Sequence, residues 1–529
     1  MFEQELQFAS KHGKVERVRE LLKHKDIELN KSDKDGWNPL LNSCYYGHLA
    51  VARILLKDER IDVNKVGTNI SCTSFFVACQ EGHLDIVKLM LKDERVDVNK
   101  VQNQQVTPFY MACQKGHYDV VKLLLYSPRI ETNRGRDIEA TPFYIACEKG
   151  HYKIVKLLLN SNKIDVNKPQ NEGATPFFMA CQEGHLKVVK LLLESGKVEV
   201  NKAQNEGATP FYLACQQGHL EIVKLLLKDD RIDFNQARDI GATPFFVASQ
   251  KGHFEIIKLL LADKRIDGNK QTNSGSTPFF IACQEGHIEI VKLLLNSERI
   301  EVNKARDIGA TPFYIACEKG HLEIIKLLLH DNRIDMNFAR NSGATPFYIT
   351  CEKGYTDAVK LLLSHSKIDV NKERNDGASP LFIATQKGHI DIVRWILASY
   401  REIKLNTKWT VQNRTALEQA IVFSTLGQQE WEKSEEETKK RQENCKDIAK
   451  ILKSYESDVE GTRARVLKEL GILDVLGSDI FSLIVLLSDE FLKFSQIIDL
   501  EADQSMKDIQ FERQTDSDTH QKKKRRVKE

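Results

Sequence analysis

An all-α repeat solenoid is the fold class predicted by this 529-residue sequence, on three observations. Thr-Pro or Ser-Pro recurs every 34 residues from Thr107 to Ser379. Nine of the eleven cysteines share one place in that period: Cys44, Cys79, Cys113, Cys147, Cys181, Cys215, Cys283, Cys317 and Cys351. Each period also carries two short apolar stretches at helical spacing, and neither can bury its apolar side alone. Length alone would indicate several ordinary domains. A fixed period replaces them with an array of about a dozen units, each touching only its neighbours.

Residues 4–36 form a degenerate first unit. Phe8, Ala9, Gly13, Val15, Val18, Leu21 and Leu22 keep the apolar skeleton amid Lys, Arg and Glu, which predicts a polar N-terminal capping repeat. The regular repeats occupy residues 37–408, and residues 310–343 show their logic. Thr311 suits an N-cap, and Pro312 suits the first helical position, where a missing N–H costs nothing. Phe313, Ala316 and Cys317 follow at helical spacing, and Gly320 ends the helix. Leu322, Ile325, Leu328 and Leu329 predict one apolar face on a second helix. Asn-Ser-Gly at 341–343, like Asn-Glu-Gly at 171–173, predicts a projecting hairpin-like loop. Each unit therefore reads helix, turn, helix, loop.

Residues 409–457 read as a divergent last repeat, with a first helix at 415–420 and its partner at 445–452. The insertion between them, 427–444, is rich in Glu, Lys and Gln with no apolar stripe beyond Trp431, which predicts a solvated helical extension or loop. Residues 458–500 carry two amphipathic patterns, expected to fold back as a helical C-terminal cap. Residues 501–529 read as a polar, disordered tail. Its basic cluster Lys522, Lys523, Lys524, Arg525 and Arg526 has the composition of a nuclear import signal.

The repeated residues resemble the ankyrin family. Its Thr-Pro-Leu-His-x-Ala, Gly-His and Asp-Val-Asn are matched here by Thr-Pro-Phe-Tyr-Ile-Ala, Gly-His and Asp-Val-Asn, over residues 4–453. Two departures stand out. The family's His is Tyr or Phe here (Tyr110, Tyr144, Phe178, Tyr212, Phe246, Phe280, Tyr314, Tyr348), and the unit has one extra residue, placed near 57–64. In that stretch the family usually has a Gly ending the second helix. Only Gly196 approaches it here, so how this helix ends is not fixed by the sequence.

Lys plus Arg number 77 and Asp plus Glu 75, so no chain-wide field favours nucleic acid or an anionic membrane. The longest strongly apolar run, 480–487, is too short to span a bilayer. Equivalent cysteines one repeat apart lie beyond bridging distance if units stack at about 8–10 Å. Reduced core thiols and a cytoplasmic location, with a nuclear one as the alternative, are expected. Cys-x-x-x-His recurs, as at Cys147 and His151, but Ser249 keeps His253 and Cys351 faces Tyr355. A paired ligand set would be kept or lost together, so no metal is expected. Phosphate-loop, nucleophile-elbow and zinc-protease motifs are absent from the sequence, so neither an enzyme, a cofactor nor a small-molecule substrate is expected. The Asn of Asp-Val-Asn resembles positions hydroxylated in some ankyrin proteins, but loop hydrogen bonding is the role expected for it.

The resemblance implies a non-catalytic, monomeric scaffold that recruits proteins along a strip of loop tips and first-helix ends. The tips are Asp137 and Ile138, Asn171 and Glu172, Asn205 and Glu206, Asp239 and Ile240, Asn273 and Ser274, and Asp307 and Ile308. The helix ends are Glu148 and Lys149, Gln182 and Glu183, Gln216 and Gln217, Gln250 and Lys251, Gln284 and Glu285, and Glu318 and Lys319. The strip uses a small polar alphabet, from which Ile138, Ile240 and Ile308 depart as candidate anchors. The alternative is a nuclear regulatory factor whose array binds a protein while the basic tail directs import or contacts nucleic acid.

Overall fold

The computed structural model describes residues 2–67, 71–399, 401–429, 432 and 434–470. Among them every extended element is helical, with 27 α-helices and no strand. The chain divides into two compact units, Met1–Asp267 and Gly268–Glu529.

In the first unit, sixteen helices run in pairs from Phe2–Lys11 and Val15–Leu22 to Pro244–Lys251 and Phe254–Ala262. The first helix of each regular pair starts as the sequence predicts. Thr141 Oγ1 accepts from Tyr144 N at 3.1 Å, Pro142 opens the helix, and the same cap recurs at Thr73, Thr107, Thr175, Thr209 and Thr243. Phe143, Ala146 and Cys147 are buried, as is the Tyr or Phe column. Burial of that column, from Tyr110 to Phe246 here and from Phe280 to Tyr348 in the second unit, gives it a packing role.

The repeats are tied together by polar contacts that the sequence pattern hid. The Asn of each loop bridges to the next repeat with both ends of its amide. Asn167 Nδ2 donates to Lys197 O at 2.9 Å while Asn167 Oδ1 accepts from Glu199 N at 3.0 Å. The same pair of bonds runs from Asn30, Asn64, Asn99, Asn133, Asn201 and Asn235. Loop hydrogen bonding is thus the role seen for this Asn.

The second helix ends without the family's glycine. Its last carbonyls are met instead by a cation from the following repeat: Arg95 donates to Leu56 O at 2.7 Å, Arg129 to Leu91 O at 2.9 Å and Lys197 to Leu159 O at 3.0 Å. A cation there suits the negative end of the helix dipole. Asp93 holds Arg95 in a forked contact of 3.0 and 2.7 Å, as Asp58 holds Arg60 and Asp229 holds Arg231. The Arg95 guanidinium keeps the Asp93 carboxyl below its usual range, against the opposing effect of partial burial. The stretch around 57–64 therefore carries the cap of the preceding repeat's second helix, with Arg60 donating to Leu22 O at 3.0 Å.

The second unit repeats this scheme from Pro278–Glu285 and Ile288–Leu295 onward. Its Asn bridges run from Asn269, Asn303, Asn337 and Asn371. Two expectations are corrected on the second helix and the first capping unit. Leu322 is exposed while Ile324 is buried beside Ile325, Leu328 and Leu329, and Phe8 is exposed, with the ammonium of Lys14 over its ring at 4.8 Å. At the divergent repeat, Thr415 and Glu418 form a capping box that opens helix Ala416–Phe423. Its partner, Glu435–Ser457, begins ten residues before the expected 445, inside the charged insertion.

The insertion is also not wholly solvated. Arg441 is buried, donating to Glu432 at 2.6 Å, Phe423 O at 2.5 Å, Leu426 O at 2.8 Å and Gly427 O at 3.0 Å. Charge composition cannot reveal that one guanidinium is the plug of a loop. Helix Val459–Glu469 then turns back: Arg463 donates to Arg401 O at 3.0 Å and Leu397 O at 3.4 Å, with Val466 and Leu467 buried. The readings for Trp431, for 471–500, for the tail 501–529 and for its basic cluster lie outside the described residues.

Candidate partner-binding surface

The loop tips are built from the backbone outward. At 170–174, Gln170 N donates to Ala174 O at 3.0 Å and Gly173 N to Gln170 O at 2.8 Å. Gly173 has φ +86°, and a Cβ there would lie 2.8 Å from Asn205 Oδ1 in the next tip, so position and packing both select glycine. The tips also join to one another. In the first unit Asp137 N donates to Gln104 O at 2.9 Å, Asn171 N to Ile138 O at 3.0 Å, Asn205 N to Glu172 O at 2.8 Å and Asp239 N to Glu206 O at 3.1 Å. In the second, Asp307 N donates to Ser274 O at 3.4 Å and Asn341 N to Ile308 O at 2.9 Å. These short ladders hold each tip in register with its neighbour.

An arginine at the base of several tips leans back on the aromatic column at the start of its own repeat. Arg306 lies over Phe280 at 5.3 Å, and Arg340 over Tyr314 at 5.8 Å while donating to its hydroxyl at 3.4 Å. Burial pushes the phenols of Tyr110 and Tyr314 up to about 12, so they remain neutral donors or acceptors.

On this frame the sequence-selected side chains are solvent-facing. Asp137, Asn171, Glu172, Asn205, Glu206, Asp239, Asn273, Ser274 and Asp307 are exposed, as are Lys149, Glu183, Gln217, Gln250, Lys251, Glu285 and Lys319. Glu148, Gln182, Gln216, Gln284 and Glu318 are half-buried. Adjacent members pair: Lys149 with Glu148 at 2.8 Å, Gln182 with Glu183 at 3.0 Å and Gln284 with Glu285 at 2.9 Å. Ile138, Ile240 and Ile308 are 40, 56 and 43 % exposed, apolar groups in water on rigid turns.

The sequence reading passed over the same strip in the first units. Where later repeats carry Gln182 and Glu183 after the core cysteine, the Cys44 repeat carries Tyr45 and Tyr46, both exposed. Trp37 and Tyr45 meet edge to face at 5.0 Å, and Tyr45 and Tyr46 likewise at 5.0 Å. Alignment to the cysteine column was the signal that could have found them.

The His of Cys-x-x-x-His, weighed above as a metal ligand, also follows the turn glycine and has a different use. His151 Nε2 lies 2.9 Å from Gln114 O, 37 residues earlier, and His117, His185, His219 and His253 repeat the contact. Each imidazole also covers the glycine of the preceding repeat. The core thiols are buried, and burial pushes Cys44 up to about 12 and Cys72 and Cys445 up to about 11. Among the described residues no cluster of three or more His, Cys, Asp or Glu could hold a metal ion.

A family model described as "Ankyrin repeats (3 copies)" matches residues 5–67, 65–135, 130–204, 197–272, 264–340 and 332–409. The chain is an ankyrin repeat protein. A comparison with curated proteins returns no match. Ankyrin repeats are in general protein-interaction scaffolds and typically non-catalytic. This ankyrin chain has, among its described residues, no helix long and apolar enough to cross a membrane.

Its second unit also holds a cleft of about 410 Å³ lined by Glu352, Lys353, Lys387, His389, Lys440 and Arg441, among others. Arg441 is already committed to Glu432 and three carbonyls, and His389 Nε2 lies 3.2 Å from Glu352 O, so its guanidinium and its imidazole both serve the fold.

Proposed function

We propose that this chain is a non-catalytic scaffold that recruits protein partners through its loop tips and first-helix ends. The observation that carries the reading is the exposure of Ile138, Ile240 and Ile308 on turns hydrogen-bonded to their neighbours. An apolar side chain on a rigid turn contributes nothing to the fold that Ser would not, yet it loses little conformational entropy on binding. Tyr45, Tyr46 and Trp37 supply aromatic anchors of the type that dominates interface energetics. The protein acts by fixed display, without turnover.

The test is capture of partners from lysate by the full chain, quantified against Ile138→Ser/Ile240→Ser/Ile308→Ser. The triple variant is expected to retain its helicity and to lose its specific partners, with affinity lower by about tenfold or more. Undiminished capture removes the tips from the site.

A further inference from the structure

The second helices carry a charge pattern that breaks in one place. From Leu84–Leu91 to Ile390–Ala398, the second residue of this helix is Asp85, Asp119, Lys153, Lys187, Glu221, Glu255, Glu289, Glu323, Asp357 and Asp391. Three residues on stands a lysine or arginine throughout. The usual combination makes an i,i+3 pair, as at Asp85 and Lys88, 3.4 Å, and Glu221 and Lys224, 2.6 Å. In two successive helices, Tyr152–Leu159 and Leu186–Glu194, the acid is replaced by lysine.

These two helices pack side by side in the first unit. Lys153, Lys156, Lys187 and Lys190 are all exposed. Among the described residues the first three make no ion pair, and Lys190 reaches only Glu194, at 3.8 Å with both side chains 63 % exposed. Beside them stand Tyr152 and Leu186, 37 and 38 % exposed at the head of each helix. The patch is bounded on both sides. Helix Tyr118–Leu125 carries Asp119 at the equivalent position, and helix Leu220–Leu226 carries Glu221 tied to Lys224.

We infer that this four-lysine surface is a second docking site, specific for a short acidic peptide segment bearing apolar residues. Like-charged lysines on neighbouring helices repel one another and give the fold nothing that the Asp/Glu–Lys pair would not give better. Their attraction is for an external anion. The size of the patch selects the class of occupant. Two helices about 10 Å apart are crossed by a few extended residues at about 3.3 Å each. A nucleic-acid backbone or a membrane surface would run on to Asp119 and Glu221 and be repelled there. Tyr152 and Leu186 offer apolar contact between the charges, which a peptide can use and a sugar-phosphate chain cannot. The surface lies on the second helices, apart from the tips, so it stands or falls separately from the tip site.

The test is fluorescence anisotropy with the full chain and a labelled peptide, Glu-Glu-Leu-Glu-Phe-Glu-Glu, against Lys153→Gln/Lys156→Gln/Lys187→Gln/Lys190→Gln. Removing four exposed charges is expected to weaken binding about tenfold. Replacing Leu and Phe of the peptide by Ser, or raising the salt, is expected to weaken it as well. Lys224→Gln/Lys258→Gln on the regular helices serves as control and is expected to bind like the parent. Circular dichroism establishes that the variants are folded. Equal binding by the quadruple variant overturns the site. Tighter binding of a single-stranded oligonucleotide or of anionic phosphatidylserine vesicles than of the peptide overturns the class of occupant.

Discussion

At the scale of single residues, the Gly-His pair is one interaction spread over two repeats. Gly116 has φ +81°, and a Cβ there would lie 2.8 Å from His151 Cε1. Gly196 has φ +65° with nothing within 4 Å of its Cβ site. Gly196→Ala therefore adds backbone strain alone, about 1 kcal/mol. Gly116→Ala adds the same strain plus displacement of the imidazole and loss of its bond to Gln114 O, about 2–3 kcal/mol in all. Urea unfolding with hydrogen exchange localises both. The double variant Gly116→Ala/His151→Ala is expected to cost less than the sum of the singles, because the displaced ring is gone. Strict additivity would mean that ring and glycine do not communicate. Glu139 is the converse case: it occupies the tip glycine's place with φ +61°. Glu139→Gly relieves about 1 kcal/mol of left-handed strain and gives up one exposed pair with Lys168, worth about 0.5 kcal/mol. A small rise in urea midpoint is expected.

At the scale of elements, helix starts were legible and second-helix ends were not. Thr141 caps a backbone N–H three residues away, so Thr-Pro declares its helix locally. The carbonyl of Leu56 is capped by Arg95, 39 residues on, and no local rule links the two. The same non-locality hid the Asn bridges and the burial of Arg441, while the tip residues were found because turn chemistry is local. Arg95→Ala is expected to speed amide exchange in the last turn of Leu49–Leu56, and Arg95→Lys to keep most of the protection, since Lys197 does this work on Leu159. The acid dependence follows from Asp93. Its folded pKa lies below the unfolded value of about 4, so the stability it contributes is full above that pH and lost as pH falls through the folded value. The destabilisation of Asp93→Asn at neutral pH is thus expected to fade below about pH 4. A difference from the parent that stays constant down to acid pH would show that the ion pair contributes nothing.

At the scale of the whole molecule, the fold class was legible because the period is regular, and the proposed partner-binding surface only partly, because regularity makes its units alike. Exceptions to the period carried the information: Tyr45 and Tyr46, the exposed isoleucines, and the two lysine-bearing helices. The end of the array is another exception, since a terminal repeat lacks the neighbour that covers each internal one. Helix Val459–Glu469 takes that place against helices Glu435–Ser457 and Ile390–Ala398, with Val466 and Leu467 buried, Arg394 paired to Glu469 at 3.4 Å and Arg463 on two carbonyls. Burial of those two apolar side chains alone is worth about 3–5 kcal/mol at most. Because stability in a repeat array is nearest-neighbour, truncation after Ser457 is expected to remove protection first from Pro380–Lys387, Ile390–Ala398 and Glu435–Ser457. Protection of helices Pro142–Glu148 and Pro176–Gln182 should stay unchanged, and the truncated chain should aggregate through its uncovered apolar face. Hydrogen exchange with light scattering reads both effects. Uniform loss of protection along the chain would mean that it folds as a single cooperative body, and no loss at all would mean that the helix does not serve as a cap.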